Sequence, residues 1–128
     1  MIQAKNLSKT YNGTTVLKID HLEIQQGESF GLVGNNGAGK TTFFSLLLDL
    51  IQPTTGEIVN NGFRVDHSES WKSLTASFLD ESFLIGYLTP EEYFYFIGDL
   101  RGQNKADVDA LLQKYEEFFN GEILNSKK

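Results

Sequence analysis

Short apolar runs separated by turns characterise the front of the chain. Glycine and asparagine occupy the turns, and the apolar runs predict strands at residues 2–7, 16–24, 57–59 and 63–65. We expect a bend near Asp20-His21 that divides the second run into a strand pair. The last two runs flank Asn60-Asn61-Gly62, a turn typical of a β-hairpin.

A different pattern follows between residues 29 and 79. The apolar run at residues 29–33 lies between turns and predicts a strand buried on both faces. After a glycine-rich stretch, residues 43–51 are apolar nearly all round, which predicts a deeply buried helix ended by Pro53. Residues 74–79 are a further candidate strand.

Two helices are predicted near the end of the chain. Thr89-Pro90-Glu91-Glu92 combines a capping hydroxyl, a proline suited to the first helical turn and a glutamate that can close a capping box. The first helix should cover residues 91–100 and end at Arg101-Gly102. The second should run from about Lys105 to Phe119 and end at Gly121, with one apolar face made of Val108, Leu111, Leu112, Tyr115, Phe118 and Phe119.

Composition narrows the function classes. The 128 residues suit one domain, and 40% hydrophobic with 22% charged residues is typical of a globular chain. The absence of cysteine excludes disulfides, thiol nucleophiles and cysteine-ligated zinc, and two histidines disfavour a histidine-built metal site. The net charge of −6 disfavours general nucleic-acid binding. With no apolar run of membrane-spanning length and no signal-like start, we expect a soluble cytoplasmic chain.

Gly34-x4-Gly39-Lys40-Thr41 is a complete P-loop pattern. Glycines let the backbone curl until successive N–H groups point at phosphate oxygens, and the helix that follows adds its positive end. Lys40 can reach the β- and γ-phosphates, and the Thr41 hydroxyl can ligate Mg²⁺. The predicted nucleotide-binding residues of this segment are Gly34, Asn35, Asn36, Gly37, Ala38, Gly39, Lys40, Thr41 and Thr42.

Two further sites have alternative interpretations. Tyr11 precedes the P-loop and offers a flat ring on which adenine could stack, although a turn tyrosine is often purely structural. Asp80-Glu81 follows an apolar stretch, as the carboxylates of a Walker B element do, but a solvated strand end fits as well.

The order of these motifs resembles the ATP-binding domain of ABC transporters over about residues 1–128. The matching stretches are Leu7-Ser-Lys-Thr-Tyr11, Val16-Leu17, Gly27-Glu28, the P-loop, Pro53-Thr-Thr-Gly56-Glu57-Ile58 and Leu88-Thr-Pro-Glu-Glu92. The resemblance implies that Tyr11 stacks on adenine, that Val16 packs near the base or ribose, and that residues 34–42 hold the phosphates.

Phe78-Leu79-Asp80-Glu81 matches the family's Q-loop. The family usually has glutamine where this chain has Glu81, and proline is common where it has Asp80. Glutamate at this place resembles a branch that includes drug, bacteriocin and lantibiotic exporters. The resemblance implies that Lys40 and Glu81 take part in catalysis and that Glu81, with Thr41, contacts Mg²⁺.

The family pattern continues with a Leu-Ser-Gly-Gly-Gln-type signature, a Walker B glutamate and a switch histidine, none of which follows Asn120. We therefore expect the N-terminal part of one ATP-binding domain, truncated and of class α/β. It should comprise an antiparallel β-subdomain and a P-loop core of mainly parallel strands over about residues 1–79, and the start of a helical subdomain over about 88–128. An unpaired sheet edge should favour self-association.

The resemblance implies an ATP-binding subunit that couples ATP binding and hydrolysis to transmembrane transport. Its cofactors would be ATP and Mg²⁺, and its partners a membrane-spanning subunit and a second ATP-binding subunit at the inner face of the cell membrane. This chain alone is not expected to turn over ATP. The alternatives are a nucleotide- or phosphate-binding module without turnover and a compact kinase-like or GTPase-like P-loop protein that uses Asp80-Glu81 as Walker B. Tyr11 and the lack of Asn-Lys-x-Asp argue against GTP.

Overall fold

The computed structural model of the chain describes residues 1–37 and 39–120. It divides into two compact units, Met1–Leu79 and Asp80–Lys128. The predicted helix stop at Gly121 lies outside the described residues. No helix in the described ranges is long and apolar enough to cross a bilayer.

An antiparallel four-stranded sheet forms the first unit. Its strands are β1 (Ile2–Tyr11), β2 (Thr14–Ile24), β3 (Thr55–Asn60) and β4 (Phe63–Arg64), in the order β2-β1-β3-β4. The predicted hairpin is confirmed, because Asn61 and Gly62 join β3 to β4. Their φ values of 49° and 85° are both positive, as the two central residues of a type I′ hairpin turn require. The predicted division near Asp20-His21 is wrong, because β2 is one strand that pairs with β1 in the same register on both sides of that point.

Helix α1 (Lys40–Leu47) packs on this sheet. Its buried side chains meet those of the strands and the following segment in one core: Phe43, Leu46, Leu47, Ala4, Leu7, Ile58, Val65 and Trp71. The indole of Trp71 is buried and donates to the carbonyl oxygen of Val65 at 3.1 Å.

Helix α1 differs from its prediction in length and burial. It ends at Leu47 rather than at residue 51, and Asp49 has a left-handed φ of 55°. The Phe44 side chain is 40% exposed, so the helix is not buried all round. The sheet covers the face of α1 that carries Phe43, Leu46 and Leu47.

The strands predicted at residues 29–33 and 74–79 are absent from the structure. The first segment joins no ladder, and a 3₁₀ helix (Ser70–Leu74) leads into residues 75–80, which also join none. Val33 is 94% and Phe78 70% exposed. The predicted parallel core strands are thus not formed among the described residues, because an apolar segment becomes a strand only when a neighbour takes up its backbone groups.

The second unit is helical. A 3₁₀ turn (Glu81–Phe83) precedes α2 (Pro90–Leu100), α3 (Lys105–Lys114) and α4 (Glu116–Phe119). The predicted capping box of α2 is confirmed: the Thr89 hydroxyl accepts from the Glu92 amide at 3.2 Å, and the Glu92 carboxylate accepts from the Thr89 amide at 2.7 Å. The predicted helix 105–119 is interrupted at Tyr115, which separates α3 from α4.

Close packing and a polar contact join α2 to α3. Gly98 is buried, and a Cβ atom there would lie 2.4 Å from Val108 Cγ2. The Tyr95 hydroxyl lies within hydrogen-bonding distance of Asp109 and Glu91. These bonds, led by that to Asp109, raise the pKa of Tyr95 far above its ordinary value, so the phenol keeps its proton at neutral pH.

We predict that Gly98→Ala destabilises the chain, because overpacking of the contact with Val108 costs about 1–3 kcal/mol. The gain of about 1 kcal/mol that alanine brings to a helix interior offsets part of this cost, which leaves a net loss of up to about 2 kcal/mol. Urea denaturation of both proteins measures the difference. Gly86→Ala is the matched control, since no atom lies within 4 Å of its added Cβ.

The cost should shrink in a Val108→Ala background, where the obstructing methyl group is gone. Equal destabilisation by Gly98→Ala in both backgrounds would contradict the packing argument.

Candidate functional site

A cleft of about 490 Å³ in the first unit collects side chains that lie far apart in the sequence. The end of β1, the start of β2, the glycine-rich loop and the first turn of α1 meet there. Its lining residues are Tyr11, Val16, Asn36, Gly37, Gly39, Lys40, Thr41 and Thr42. The volume lies in the range typical of small-molecule sites.

Gly39 joins the glycine-rich loop to α1 and is buried. Its φ of 94° belongs to the left-handed region. A Cβ atom at this position would lie 2.7 Å from the carbonyl oxygen of Val16 and 3.1 Å from Leu17 Cδ1. Only glycine satisfies both conditions, and its small size brings the loop against β2.

The N-terminus of α1 opens into the cleft. The Phe43 amide donates to the Gly39 carbonyl at 2.8 Å, which starts the helical ladder and leaves the preceding amides without intrahelical partners. The first turn carries no acidic side chain. This helix end therefore favours an anion.

Lys40 is the first residue of α1 and lies at the cleft. Its Nζ donates to the carbonyl oxygen of Asn35 at 2.9 Å and also to that of Gly34. The ammonium group therefore lies inside the curl of the loop, with its charge at the helix N-terminus.

The other predicted P-loop residues surround this centre. Gly34 and Asn35 are exposed and contribute the two carbonyl groups that Lys40 contacts. Asn36, Gly37 and Thr42 line the cleft, and Ala38 lies outside the described residues.

Thr41 offers a hydroxyl oxygen at the cleft beside Lys40. A hard cation such as Mg²⁺ takes oxygen ligands and commonly uses one or two from the protein together with phosphate oxygens and water. The donor set at the cleft fits that pattern. No cluster of three histidine, cysteine, aspartate or glutamate side chains suited to a metal occurs within residues 1–37 and 39–120.

Tyr11 ends β1 at the rim of the cleft. Its side chain is 47% exposed, and the tight turn at Asn12-Gly13 follows it. The Lys9 Nζ lies 4.9 Å from the centre of its ring. An aromatic ring at the rim, with the phosphate-type loop below it, can stack on a flat heterocycle.

A β-bulge determines where Val16 lies. Lys9 and Thr10 on β1 pair with Leu17 and Thr15 on β2, so Val16 has no partner across the ladder. The extra residue turns the half-buried Val16 into the cleft and its carbonyl toward Gly39. The hydrophobic pattern carried no signal for this bulge, and sequence reasoning missed it.

Asp80 and Glu81 belong to the second unit. The Asp80 carboxylate caps the short 3₁₀ turn by accepting from the Ser82 amide at 2.7 Å and from the Ser82 hydroxyl, and these bonds hold its pKa below the ordinary value. Glu81 is exposed. A Walker B element needs a strand before its carboxylates, and the strand predicted at residues 74–79 is wrong, so the structure does not support that interpretation.

The chain resembles known proteins over most of its length. The ABC transporter family model matches residues 17–127. The tungstate uptake system ATP-binding protein TupC of Peptoclostridium acidaminophilum is 31% identical over 127 residues, which is 99% of this chain and 58% of TupC.

Solved structures share the α/β fold. One described as the ATP-binding subunit of an ABC transporter superposes with a TM-score of 0.79 at 29% identity, over 93% of this chain and 50% of the other. The dimeric ATP-binding cassette MJ0796 bound to ADP and Pi gives 0.72 at 22% identity, over 88% of this chain and 55% of the other, a likeness of fold alone.

The chain thus spans about half the length of these proteins. The family model matches residues 17–127 of the 128-residue chain. The fold agrees with that match, because it superposes on an ATP-binding subunit of an ABC transporter. The chain therefore belongs to the family of ABC transporter ATP-binding proteins.

Proposed function

We propose that the cleft binds ATP with Mg²⁺ and that the chain acts in an ATPase subunit that drives transport through a membrane-spanning partner. The observation that carries the proposal is the convergence of Tyr11, Val16 and the P-loop on one cleft at the N-terminus of α1. These segments are separate in the sequence, and the cleft has a flat aromatic ring at its rim and a cationic centre.

The phosphate end of the ligand would lie at Lys40 and the first amides of α1. Lys40 already donates to the carbonyl groups of Gly34 and Asn35, so its ammonium is held where the loop curls. Phosphate oxygens are stronger acceptors than neutral carbonyls and would take up these donors. Bound Mg²⁺, held by the Thr41 hydroxyl, would neutralise charge on the phosphates.

The base end of the ligand would lie on Tyr11, with Val16 beside the base or ribose. Half of the tyrosine side chain is exposed, which is the condition for stacking without rearrangement of the strand. The half-buried Val16 gives an apolar contact next to the ring.

Dimerisation and a membrane partner are supported by the relatives. The MJ0796 cassette is dimeric, and TupC is the ATP-binding protein of an uptake system. We propose that this chain likewise pairs with a second ATP-binding subunit and works at the inner face of the membrane.

Binding without turnover is the second candidate for this chain on its own. None of the described residues that line the cleft is a carboxylate. Phosphoryl transfer to water needs a group that orients the nucleophile. Glu81 remains the proposed auxiliary carboxylate of the full subunit, at the position that resembles the Q-loop.

We predict that Lys40→Ala abolishes stabilisation of the chain by MgATP, since the ammonium at the cleft is lost. For the unchanged chain, ligand at 100 times its Kd adds about 2.7 kcal/mol of stability. Thermal melts with and without millimolar MgATP, ADP and tripolyphosphate measure the effect. An unchanged chain that ignores all three would refute the proposed site, and Lys5→Ala is the control for loss of one charge.

We predict that Tyr11→Ala weakens ATP binding by about 1–3 kcal/mol, the usual contribution of base stacking on an aromatic ring. Tyr11→Phe and Tyr11→Trp should retain binding, because both keep a flat ring. Titration calorimetry with ATP and tripolyphosphate provides the measurement. If tripolyphosphate lost as much affinity as ATP, Tyr11 would support the fold rather than the base.

We predict that the 128-residue chain releases no phosphate from ATP beyond the level of Lys40→Ala, because the described cleft lacks a carboxylate that positions water. Glu81→Gln should leave this background unchanged. The measurement is steady-state phosphate release by purified protein. Multiple turnovers that disappear in both variants would show instead that Glu81 completes the site within this chain.

A further inference from the structure

Lys9 has two contacts that set it apart from the other lysines of the sheet. Its Nζ lies 4.9 Å from the centre of the Tyr11 ring and donates to the carbonyl oxygen of Gln52 at 2.6 Å. A lysine ammonium over a tyrosine ring is attracted by the negative face of the ring. The bond to Gln52 holds the ammonium at this place. The contact with the ring therefore costs little additional conformational entropy of the Lys9 side chain.

The ammonium approaches Tyr11 without facing the cleft. Lys9 is two residues before Tyr11 on β1, so the two side chains share one face of the strand. Tyr11 lines the cleft, whereas Lys9 is not among its lining residues. The ammonium lies over one face of the ring, which leaves the other face for a base.

Neighbouring bonds hold the strand in place independently of this ammonium. The Thr54 amide donates to the Ser8 carbonyl at 2.8 Å, and the Thr10 amide donates to the Thr54 hydroxyl at 2.9 Å. These two bonds flank Lys9 and tie β1 to the segment before β3. Removal of the Lys9 charge should thus alter the ring of Tyr11 while the strand keeps its position.

We propose that Lys9 is a positioning residue for the nucleotide base: it holds the Tyr11 ring from behind and withdraws electron density from it, so that the exposed face stacks on adenine. The inference rests on the proposed function, because it concerns the same ligand. It assigns to Lys9 an effect on the base alone, transmitted through Tyr11 and not exerted on the phosphates.

The test is titration calorimetry of the full chain with ATP and with tripolyphosphate. Lys9→Met, which keeps the length of the side chain and removes its charge, should weaken ATP about 2- to 5-fold, the equivalent of an exposed cation–π contact. Tripolyphosphate affinity should not change. Lys9→Arg should restore ATP binding, since a guanidinium also stacks on an aromatic face.

A double-mutant cycle tests whether the effect passes through the ring. In a Tyr11→Leu background, Lys9→Met should cause no further loss of ATP affinity. The matched control is Lys5→Met, which removes the same charge from an exposed position on the same strand.

The outcomes separate this inference from the proposed function. Failure of the unchanged chain to bind ATP overturns both. If Tyr11→Leu lowers the affinity for ATP while Lys9→Met does not, the positioning role is wrong and the proposed function stands. If Lys9→Met lowers the affinities for ATP and tripolyphosphate equally, Lys9 acts on the phosphates or on the fold, and the inference is overturned.

Discussion

A Cβ atom at Gly39 would lie 2.7 Å from the carbonyl oxygen of Val16, and the cleft depends on this close backbone approach. Two local features make it possible. The bulge on β2 turns the Val16 carbonyl out of the ladder, and the left-handed glycine lets the loop pass directly beneath it. The β-hairpin with Tyr11 and the helix with Lys40 are thereby held at a fixed separation, so one ligand can contact both.

The charges around the cleft suit an anion although the chain as a whole is acidic. The net charge is −6, and the first turn of α1 has no acidic residue. The cleft instead presents Lys40, the helix N-terminus and the backbone of the loop. Because solvent and salt screen exposed charges beyond about 8–10 Å, the potential at the cleft depends mainly on the groups that line it.

Two apolar segments of the first unit remain exposed to solvent although the cleft is formed. Residues 29–33 lead into the loop, yet Val33 is 94% exposed and the segment joins no ladder in the described chain. Phe78 is also exposed, at 70%. The loop is therefore anchored through its contact with β2 and through α1, while the segment before it joins no ladder among the described residues.

The features that could be predicted from the sequence are those that a few neighbouring residues stabilise. The Asn61-Gly62 turn, the Thr89–Glu92 capping box and the P-loop are short motifs, because a few adjacent residues satisfy or expose the backbone groups concerned. The resemblance to ABC transporter ATP-binding domains rested on such motifs, and the family match confirmed it. The hydrophobic pattern also identified α1 and the two principal helices of the second unit.

Tertiary structure alone decided the rest. The pattern at residues 29–33 and 74–79 predicted strands, but a strand forms only if another segment accepts its hydrogen bonds, and a pattern does not show whether one is present. The bulge at Val16 depends on the register between β1 and β2, and the contact of Lys9 with Tyr11 depends on the Gln52 carbonyl that holds the ammonium; one-dimensional periodicity encodes neither. The sequence by itself therefore identified the segments that line the cleft, and the pairing of two strands determined how they face one another.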